Sequence, residues 1–269
     1  MAWTLQITMA LYAVGLLQSL FGFWTKRQAW VRGALALVAL GFATHTVFLI
    51  QIGLERRHFP ITSLSESLGF LAWSITLTFI IASFRYRINV LGAFVLPFVS
   101  SLMVFSELLW DENQSIPAML RSRWVYLHST VAFLAYAAFF LTFVSGVLYL
   151  IQEKELKTKR FRFFYFRLPP LQVCDDLLRR SLFAGFILMS LTIVTGAVWA
   201  QHAWGRFWNW DPKETASLIT WAIYFLLVNY RLSAGWRGRR AAYISIVGFL
   251  STLFTFGAAS WFKGLHTYL

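Results

Sequence analysis

The chain has 269 residues, of which 58% are hydrophobic and only 13% are charged. A composition this apolar excludes a water-soluble globular protein and predicts a membrane protein. The formal net charge of +13 indicates contact with anionic lipid at the inner membrane surface rather than with nucleic acid. With one cysteine, Cys174, and no CxxCH sequence, the chain is neither a dithiol exchanger nor a c-type cytochrome.

Eight apolar stretches are long enough to cross a bilayer as α-helices, because about 20 residues span its hydrocarbon core. They cover residues 4–24, 33–54, 66–84, 88–109, 124–150, 181–201, 215–232 and 241–262. Lys and Arg concentrate in the connections after the odd-numbered stretches, so the positive-inside rule places both termini on the outer face. We therefore expect an all-α polytopic membrane protein of about eight transmembrane helices, with residues 1–269 forming a single domain.

The second stretch carries His45 in its middle. An ionisable side chain within the membrane is a candidate functional residue, and a hydrogen bond to a neighbouring helix is the alternative. In the connection that follows, His58 is expected at the surface. Ser63 and Glu66 have the spacing of a capping box and predict a helix start there.

The fifth stretch places His128 about one helical turn inside its outer boundary. The basic and aromatic connection that follows, residues 152–180, contains FRFFYF, which is expected to lie in the lipid headgroup region on the inner side. The eighth stretch ends in GLHTYL, so His266 is expected just beyond the membrane on the outer side.

The connection between the sixth and seventh stretches has the most unusual composition. Its loop, approximately residues 199–214, contains Trp199, Trp204, Trp208 and Trp210. Flat aromatic rings beside charged groups suit a flat amphiphile with an anionic edge, such as haem. An aromatic belt at the membrane surface is the alternative, although a belt needs fewer aromatic residues at each helix end. Asp211 is predicted to be the N-cap of the next helix, with Glu214 completing a capping box.

Haem iron commonly takes imidazole ligands. His128 and His266 form the natural axial pair, because each lies at the outer end of its own span. His202, inside the tryptophan-rich loop, is the competing candidate. Arg206 and Lys213 are candidates for pairing with the haem propionates, and interfacial snorkelling is the alternative for both.

Several segments resemble the CcsA-type cytochrome c assembly family of System II, which shares its tryptophan-rich "WWD" motif with CcmC-type haem exporters. The segments are HFPITSLSESLGFLAW, YLHSTVAFLAY, WGRFWNWDPKET, GWRGRRAA and GLHTY. The resemblance implies that His128 and His266 are the external axial ligands of haem b. It also matches His45 to the first transmembrane histidine of the family. The position of the second is occupied by Asn229, and His202 lies where the family usually has WANEAWG.

The resemblance implies cytochrome c biogenesis as the function. The WWD loop, with Trp199, Trp204, Trp208, Trp210 and Asp211 as its haem-binding residues, would present haem for thioether attachment to the CxxCH of an apocytochrome c. The protein would provide no catalytic side chain and would act as a subunit of a cytochrome c synthase with a CcsB/ResB-type partner. The expected location is a bacterial inner membrane or a thylakoid-type membrane, with the loop outside. Alternatives are a HemX-like regulatory haem protein, a transporter of another amphiphile, and a structural membrane subunit.

Overall fold

The computed structural model describes residues 2–86, 88, 90–111, 118–159, 163–233, 235 and 238–261. Over these residues the regular structure is entirely helical. The α-helices are α1 (Ala2–Thr25), α2 (Gln28–Arg56), α3 (Leu64–Tyr86), α4 (Leu91–Leu108), α5 (Arg123–Lys157), α6 (Leu171–Trp204), α7 (Pro212–Ser233) and α8 (Arg239–Trp261). A short 3-10 helix, Ala118–Arg121, precedes α5. The prediction of an all-α membrane protein is confirmed.

Seven of these helices are long and apolar enough to cross a membrane, judged by length and composition over the described residues. The exception is α7, because polar and charged residues occupy its first and last turns. Its apolar middle is also rich in aromatic rings, which are less hydrophobic than aliphatic side chains. The stretch predicted at 215–232 is therefore a helix, although a more polar one than the other seven.

Several helices extend beyond the apolar stretches that predicted them. Helix α5 continues to Lys157, and α6 begins at Leu171, ten residues before the predicted apolar stretch. The apolar run reflects only the hydrocarbon thickness of a bilayer, whereas backbone hydrogen bonding continues into the polar interface. Much of the connection predicted at residues 152–180 is consequently helical.

The described chain forms two compact units. The first comprises Met1–Asn113 and Ile151–Val173. In this unit α1 packs against α2 and α4, while α3 packs against α4 and α2. The aromatic connection after α5 joins the same unit through Arg167, whose guanidinium donates hydrogen bonds to the carbonyls of Phe23 at 3.0 Å and Trp24 at 2.7 Å.

The second unit comprises Gln114–Leu150 and Cys174–Leu269. Helices α5 and α6 pack as an antiparallel pair, since contacts move backward along α6 as they move forward along α5. Thr142 of α5 donates to Ser181 at 2.8 Å, and His128, four turns earlier, contacts Thr192. Helix α7 packs against α8. This unit carries the tryptophan-rich loop.

Candidate functional site

The predicted tryptophan-rich loop, residues 199–214, is helical at both ends, so its irregular part runs only from Gly205 to Asp211. Helix α6 ends at Trp204, and Gly205 follows in the left-handed conformation with φ of 73°. Its N–H donates to the carbonyl of Gln201 at 3.0 Å. Glycine adopts this conformation at little cost because it has no Cβ, so it turns the chain sharply out of the helix.

At the other end, Asp211 caps α7 as predicted. The Asp211 carboxylate accepts the backbone N–H of Lys213 at 2.9 Å, and Pro212 occupies the first helical position. This arrangement satisfies one of the backbone donors that a helix start leaves without a partner. The helix start is therefore determined by the sequence immediately around it.

Glu214 holds the loop backbone against the start of α7. Its Oε2 accepts the N–H of Asn209 at 2.8 Å and the N–H of Asp211 at 3.3 Å. Between these two anchored residues, Trp210 has a positive φ of 57°, a conformation that few bulky residues adopt. One carboxylate thus fixes the backbone on both sides of Trp210.

The indoles of the loop fall into an inner and an outer pair. Trp199 is buried, and the ring of Trp204 meets it edge to face with centroids 4.9 Å apart. Trp208 and Trp210 are nearly perpendicular at 5.9 Å, and Trp210 is 72% exposed. The inner pair is packed within the unit, whereas the outer pair presents an apolar aromatic surface.

His128 of α5 contacts the last turns of α6, from which this loop continues. Its Nδ1 is 3.0 Å from the carbonyl oxygen of Thr192, and its ring is nearly parallel to the Trp199 indole at 6.2 Å. A carbonyl can only accept, so Nδ1 carries the proton and the Nε2 atom carries the lone pair. This is the tautomer that ligates iron through Nε2, with its orientation set by the main-chain contact.

Gly196 makes the position of His128 possible. A Cβ at residue 196 would lie 2.7 Å from Cε1 and 2.9 Å from Nδ1 of the imidazole. Real Cβ atoms do not approach other atoms so closely, so only glycine leaves space for the ring against α6. The sequence analysis did not identify Gly196 or Thr192, because their roles depend on contacts with α5.

His202 also lies at this end of the α5–α6 pair. Its Nδ1 is 2.8 Å from the carbonyl oxygen of Val198, and its ring lies 5.9 Å from the Trp124 ring. The side chain is exposed, whereas His128 is half-buried.

The loop also contains donors suited to an anionic group. The Nε1 of Trp208 and the Nδ2 of Asn209 are buried, and neither has a hydrogen-bond partner in the described part of the chain. A buried N–H without a partner is costly, and a carboxylate would satisfy it. Burial lowers the pKa of the Lys213 ammonium to about 8, against the opposing effect of the Asp211 carboxylate. These groups and the aromatic surface fit a haem with its propionates.

His45, in the first unit, is completely buried between helices. The Tyr12 hydroxyl lies 3.3 Å from His45 Nδ1, and the two rings meet edge to face. The hydrogen bond to a neighbouring helix that the sequence suggested is therefore present. His45 Nε2 has no hydrogen-bond partner among the described residues. The assignment of His45 as a haem ligand stays a prediction.

Of the two remaining predicted positions, the structure describes Asn229 but not His266. His266 lies outside the described residues, so the second external ligand also stays a prediction. Asn229 is exposed, and its amide donates to the Phe225 carbonyl of its own helix at 2.8 Å.

The expectation that His58 is a surface residue is wrong. The His58 side chain is fully buried, and its Nε2 lies 3.6 Å from the Glu66 carboxylate. The same carboxylate accepts the backbone N–H of Thr62 at 2.9 Å and pairs with Arg56 at 3.5 Å. The Arg56 guanidinium in turn lies over the Trp110 ring, 4.4 Å from its centroid. The polar local sequence suggested exposure, but the end of α4 covers this corner.

Comparison with known proteins gives one consistent family. Residues 61–266 match the family described as cytochrome C assembly protein. The cytochrome c biogenesis protein CcsA of Guillardia theta is 32% identical over 250 residues, covering 85% of this chain and 83% of the relative. The protein of the same name from Synechococcus sp. (strain CC9605) is 34% identical over 259 residues, covering 86% and 85%.

A solved structure shares the fold. Cytochrome c Heme Lyase CcmF matches 96% of this chain with a TM-score of 0.68 at 18% sequence identity. The chain corresponds to 46% of the CcmF chain, slightly less than half of its length.

Proposed function

The chain belongs to the cytochrome c assembly protein family, and on that premise we propose that it binds haem b at the tryptophan-rich loop and presents it to an apocytochrome c. The observation that carries this proposal is the position of His128. The Thr192 carbonyl orients its ring, and the buried Trp199 indole lies nearly parallel to it in the last turns of α6, from which the tryptophan-rich loop continues. A histidine held in this way is preorganised as a metal ligand.

The second axial ligand in this proposal is His266. Its assignment rests on the GLHTY segment and on the chain order that brings the end of α8 to the same side as the start of α5. Trp208 and Trp210 would contact the macrocycle, while Trp199 and Trp204 support His128 from behind. Asp211 would act on the loop conformation as the N-cap of α7, not as a ligand.

The anionic edge of haem would be met by the loop donors. Trp208 Nε1, Asn209 Nδ2 and the Lys213 ammonium provide hydrogen bonds or charge suited to carboxylates. Arg206 is exposed in the same loop and is a further candidate. We propose that these groups determine which edge of haem faces outward.

The reaction served is thioether formation. Each thiol of the CxxCH segment adds across a vinyl group of haem, so that a C–S bond forms and the thiol hydrogen passes to carbon. This addition requires no nucleophile from the present chain. Its residues would bind and orient haem, which is catalysis by positioning.

We propose that both termini and the loop face outward, in a bacterial inner membrane or a thylakoid-type membrane. The distribution of Lys and Arg along the sequence supports this orientation. A CcsB/ResB-type membrane protein is the proposed partner in ligation.

The test is the absorption spectrum of the purified protein, oxidised and reduced. We expect a low-spin b-type spectrum for wild type, and a lost or high-spin spectrum for His128→Ala and for His266→Ala. His202→Ala tests the competing candidate, because a spectrum lost in this variant and unchanged in the other two would assign the iron to His202. An unchanged spectrum in both ligand variants would disprove the axial assignment.

A HemX-like haem protein without ligation activity is the second candidate. Asn229 favours it, because its amide is hydrogen-bonded to its own helix and offers no imidazole at the position of the second transmembrane histidine. Co-expression with a CcsB/ResB-type partner and a cytochrome c reporter separates the two. Covalent haem on the reporter supports ligation, whereas a normal b-type spectrum without covalent product supports the HemX-like function.

A further inference from the structure

The outer end of the α5–α6 pair contains two imidazoles and two indoles in a crossed arrangement. Trp124 and His128 are four residues apart on α5, and Trp199 and His202 are three apart on α6, so each pair shares one helix face. The contacts cross between the helices. His128 stacks on Trp199 with an interplanar angle of 17°, and His202 lies beside Trp124 at 32°. Each histidine of one helix is therefore backed by a tryptophan of the other.

The two histidines also share a tautomer. His128 Nδ1 lies 3.0 Å from the Thr192 carbonyl oxygen, and His202 Nδ1 lies 2.8 Å from that of Val198. Because carbonyl oxygens only accept hydrogen bonds, both rings carry the proton on Nδ1 and the lone pair on Nε2. A neutral imidazole oriented by a hydrogen bond from its other nitrogen is the usual form of a metal ligand.

The His128–Trp199 contact and the His202–Trp124 contact form two layers, which lie at different depths. Four residues of α-helix rise about 6 Å, so the His202 layer lies roughly one helical turn beyond the His128 layer. His202 is exposed and Trp124 is 38% exposed, whereas Trp199 is 3% exposed. A ligand arriving from solvent therefore meets His202 before it reaches His128.

We propose that His202 is a second imidazole ligand for haem iron, forming an outer site through which haem passes to or from the His128 site. This inference rests on the proposed function. The step is a ligand exchange, in which the Nε2 lone pair of one imidazole replaces that of the other on iron. Both rings keep their Nδ1 proton, so no electron and no proton is transferred.

The test is a titration of the full-length chain in detergent with hemin, followed by the Soret band. The central variant is His128→Ala with His266→Ala, which removes both resting ligands. We expect it to bind hemin at least about 10-fold more weakly than wild type, a loss of about 1.4 kcal/mol or more, and to keep an imidazole-type Soret band. Adding His202→Ala to this variant is expected to abolish that band.

Substitutions of Trp124 give a second test of the outer site. In the double-histidine background, Trp124→Leu should weaken hemin binding further, and Trp124→Phe should retain most of it because an aromatic ring remains beside His202. If the double and triple histidine variants bind hemin identically, the inference is overturned while the proposed function stands. If wild type itself binds no hemin, the proposed function fails and this inference fails with it.

Discussion

The starts of α3 and α7 use the same local device in different surroundings. At α3 the Ser63 hydroxyl accepts the N–H of Glu66 at 3.0 Å, and at α7 the Asp211 carboxylate accepts the N–H of Lys213 at 2.9 Å. In both, a glutamate at the third helical position turns back to the preceding backbone. Glu66 reaches the N–H of Thr62 and Glu214 reaches that of Asn209. The local hydrogen bonding is therefore closely similar.

What surrounds the two glutamates is not similar. Around Glu66, the His58 side chain is fully buried and Arg56 stacks on an indole, so the Glu66 carboxylate is shielded from solvent. Around Glu214, Phe207 is 61% exposed and Trp210 is 72% exposed. An exposed apolar surface on a firmly held backbone is characteristic of binding sites. A cap establishes where a helix starts, whereas the packing around it distinguishes a buried structural contact from a candidate binding loop.

Glu66→Ala should have the largest effect, because it removes a buried carboxylate from Arg56, His58 and Thr62. Breaking a buried charge pair typically costs about 3–5 kcal/mol. We expect a large fall in the apparent melting temperature in detergent. Glu153→Ala is the control, since its ion pair with Lys157 is solvent-accessible and is worth less than about 0.5 kcal/mol. Similar shifts in melting temperature for the two variants would show that the buried contacts of Glu66 add nothing to stability.

Gly196→Ala should disturb the proposed haem site more than the fold. The added methyl group would force the His128 ring from its position, at a cost of about 1–3 kcal/mol in overpacking. We expect the low-spin haem spectrum to shift toward high spin. Gly53→Ala is the matched control, because the nearest atom to its Cβ lies at an ordinary 3.5 Å. A normal spectrum in Gly196→Ala would contradict the close fit of His128 against α6.

Glu214→Ala should loosen the open loop without unfolding the unit. It removes the acceptor of two backbone N–H groups, worth about 1–2 kcal/mol in a partly exposed site. The expected results are a weaker near-ultraviolet tryptophan dichroism signal and hemin affinity reduced about tenfold. Glu214→Gln keeps one acceptor oxygen and should lie between wild type and Glu214→Ala. If dichroism and hemin affinity both stay at wild-type values, Glu214 does not position the loop.

The smallest effect concerns pH. Because the pKa of Lys213 is lowered to about 8, its positive charge is lost as pH rises through that value. Hemin affinity should fall by up to about fivefold between pH 7 and 9, since a partly exposed charge pair contributes about 1 kcal/mol. Lys213→Arg keeps its charge and should remove this pH dependence. An equal fall in both proteins would exclude Lys213 as its source.

The lowered pKa of Lys213 affects stability in the opposite direction from hemin affinity. A folded pKa below the unfolded value means that the unfolded chain binds more protons between about pH 8 and 10.5. Lys213 therefore makes the protein slightly more stable as pH rises through this window, while binding of an anionic ligand weakens. Thermal melting at pH 8 and pH 10 for wild type and Lys213→Arg would separate the two effects.

Much of the fold and part of the site could be predicted from the sequence. The eight helices follow from apolar stretches of bilayer length, and the start of α7 follows from Asp211 and Glu214 alone. His128 could be selected because its depth in its span places it level with the tryptophan-rich loop. Each of these features depends on residues close together in the chain.

The supports of the site could not be predicted in this way. Thr192 and Gly196 orient His128 from more than sixty residues away, and no local pattern marks them. His58 was expected at the surface because it lies in a connection between two apolar stretches, yet Trp110 and Asp111, just beyond the end of α4, contact Arg56 beside it. Polar neighbours in sequence do not reveal a distant segment that packs over them.

The sequence by itself determined the class of the protein, the number of helices and the start of α7 at the end of the tryptophan-rich loop. Apolar stretches and helix caps are formed by residues that are close together in the sequence, so both can be predicted from it. Only the tertiary structure decided which imidazoles are oriented, which indoles are buried and which histidine is sealed in a corner. These properties depend on contacts between helices, where one carbonyl oxygen or one missing Cβ on α6 sets the tautomer and position of a ring on α5.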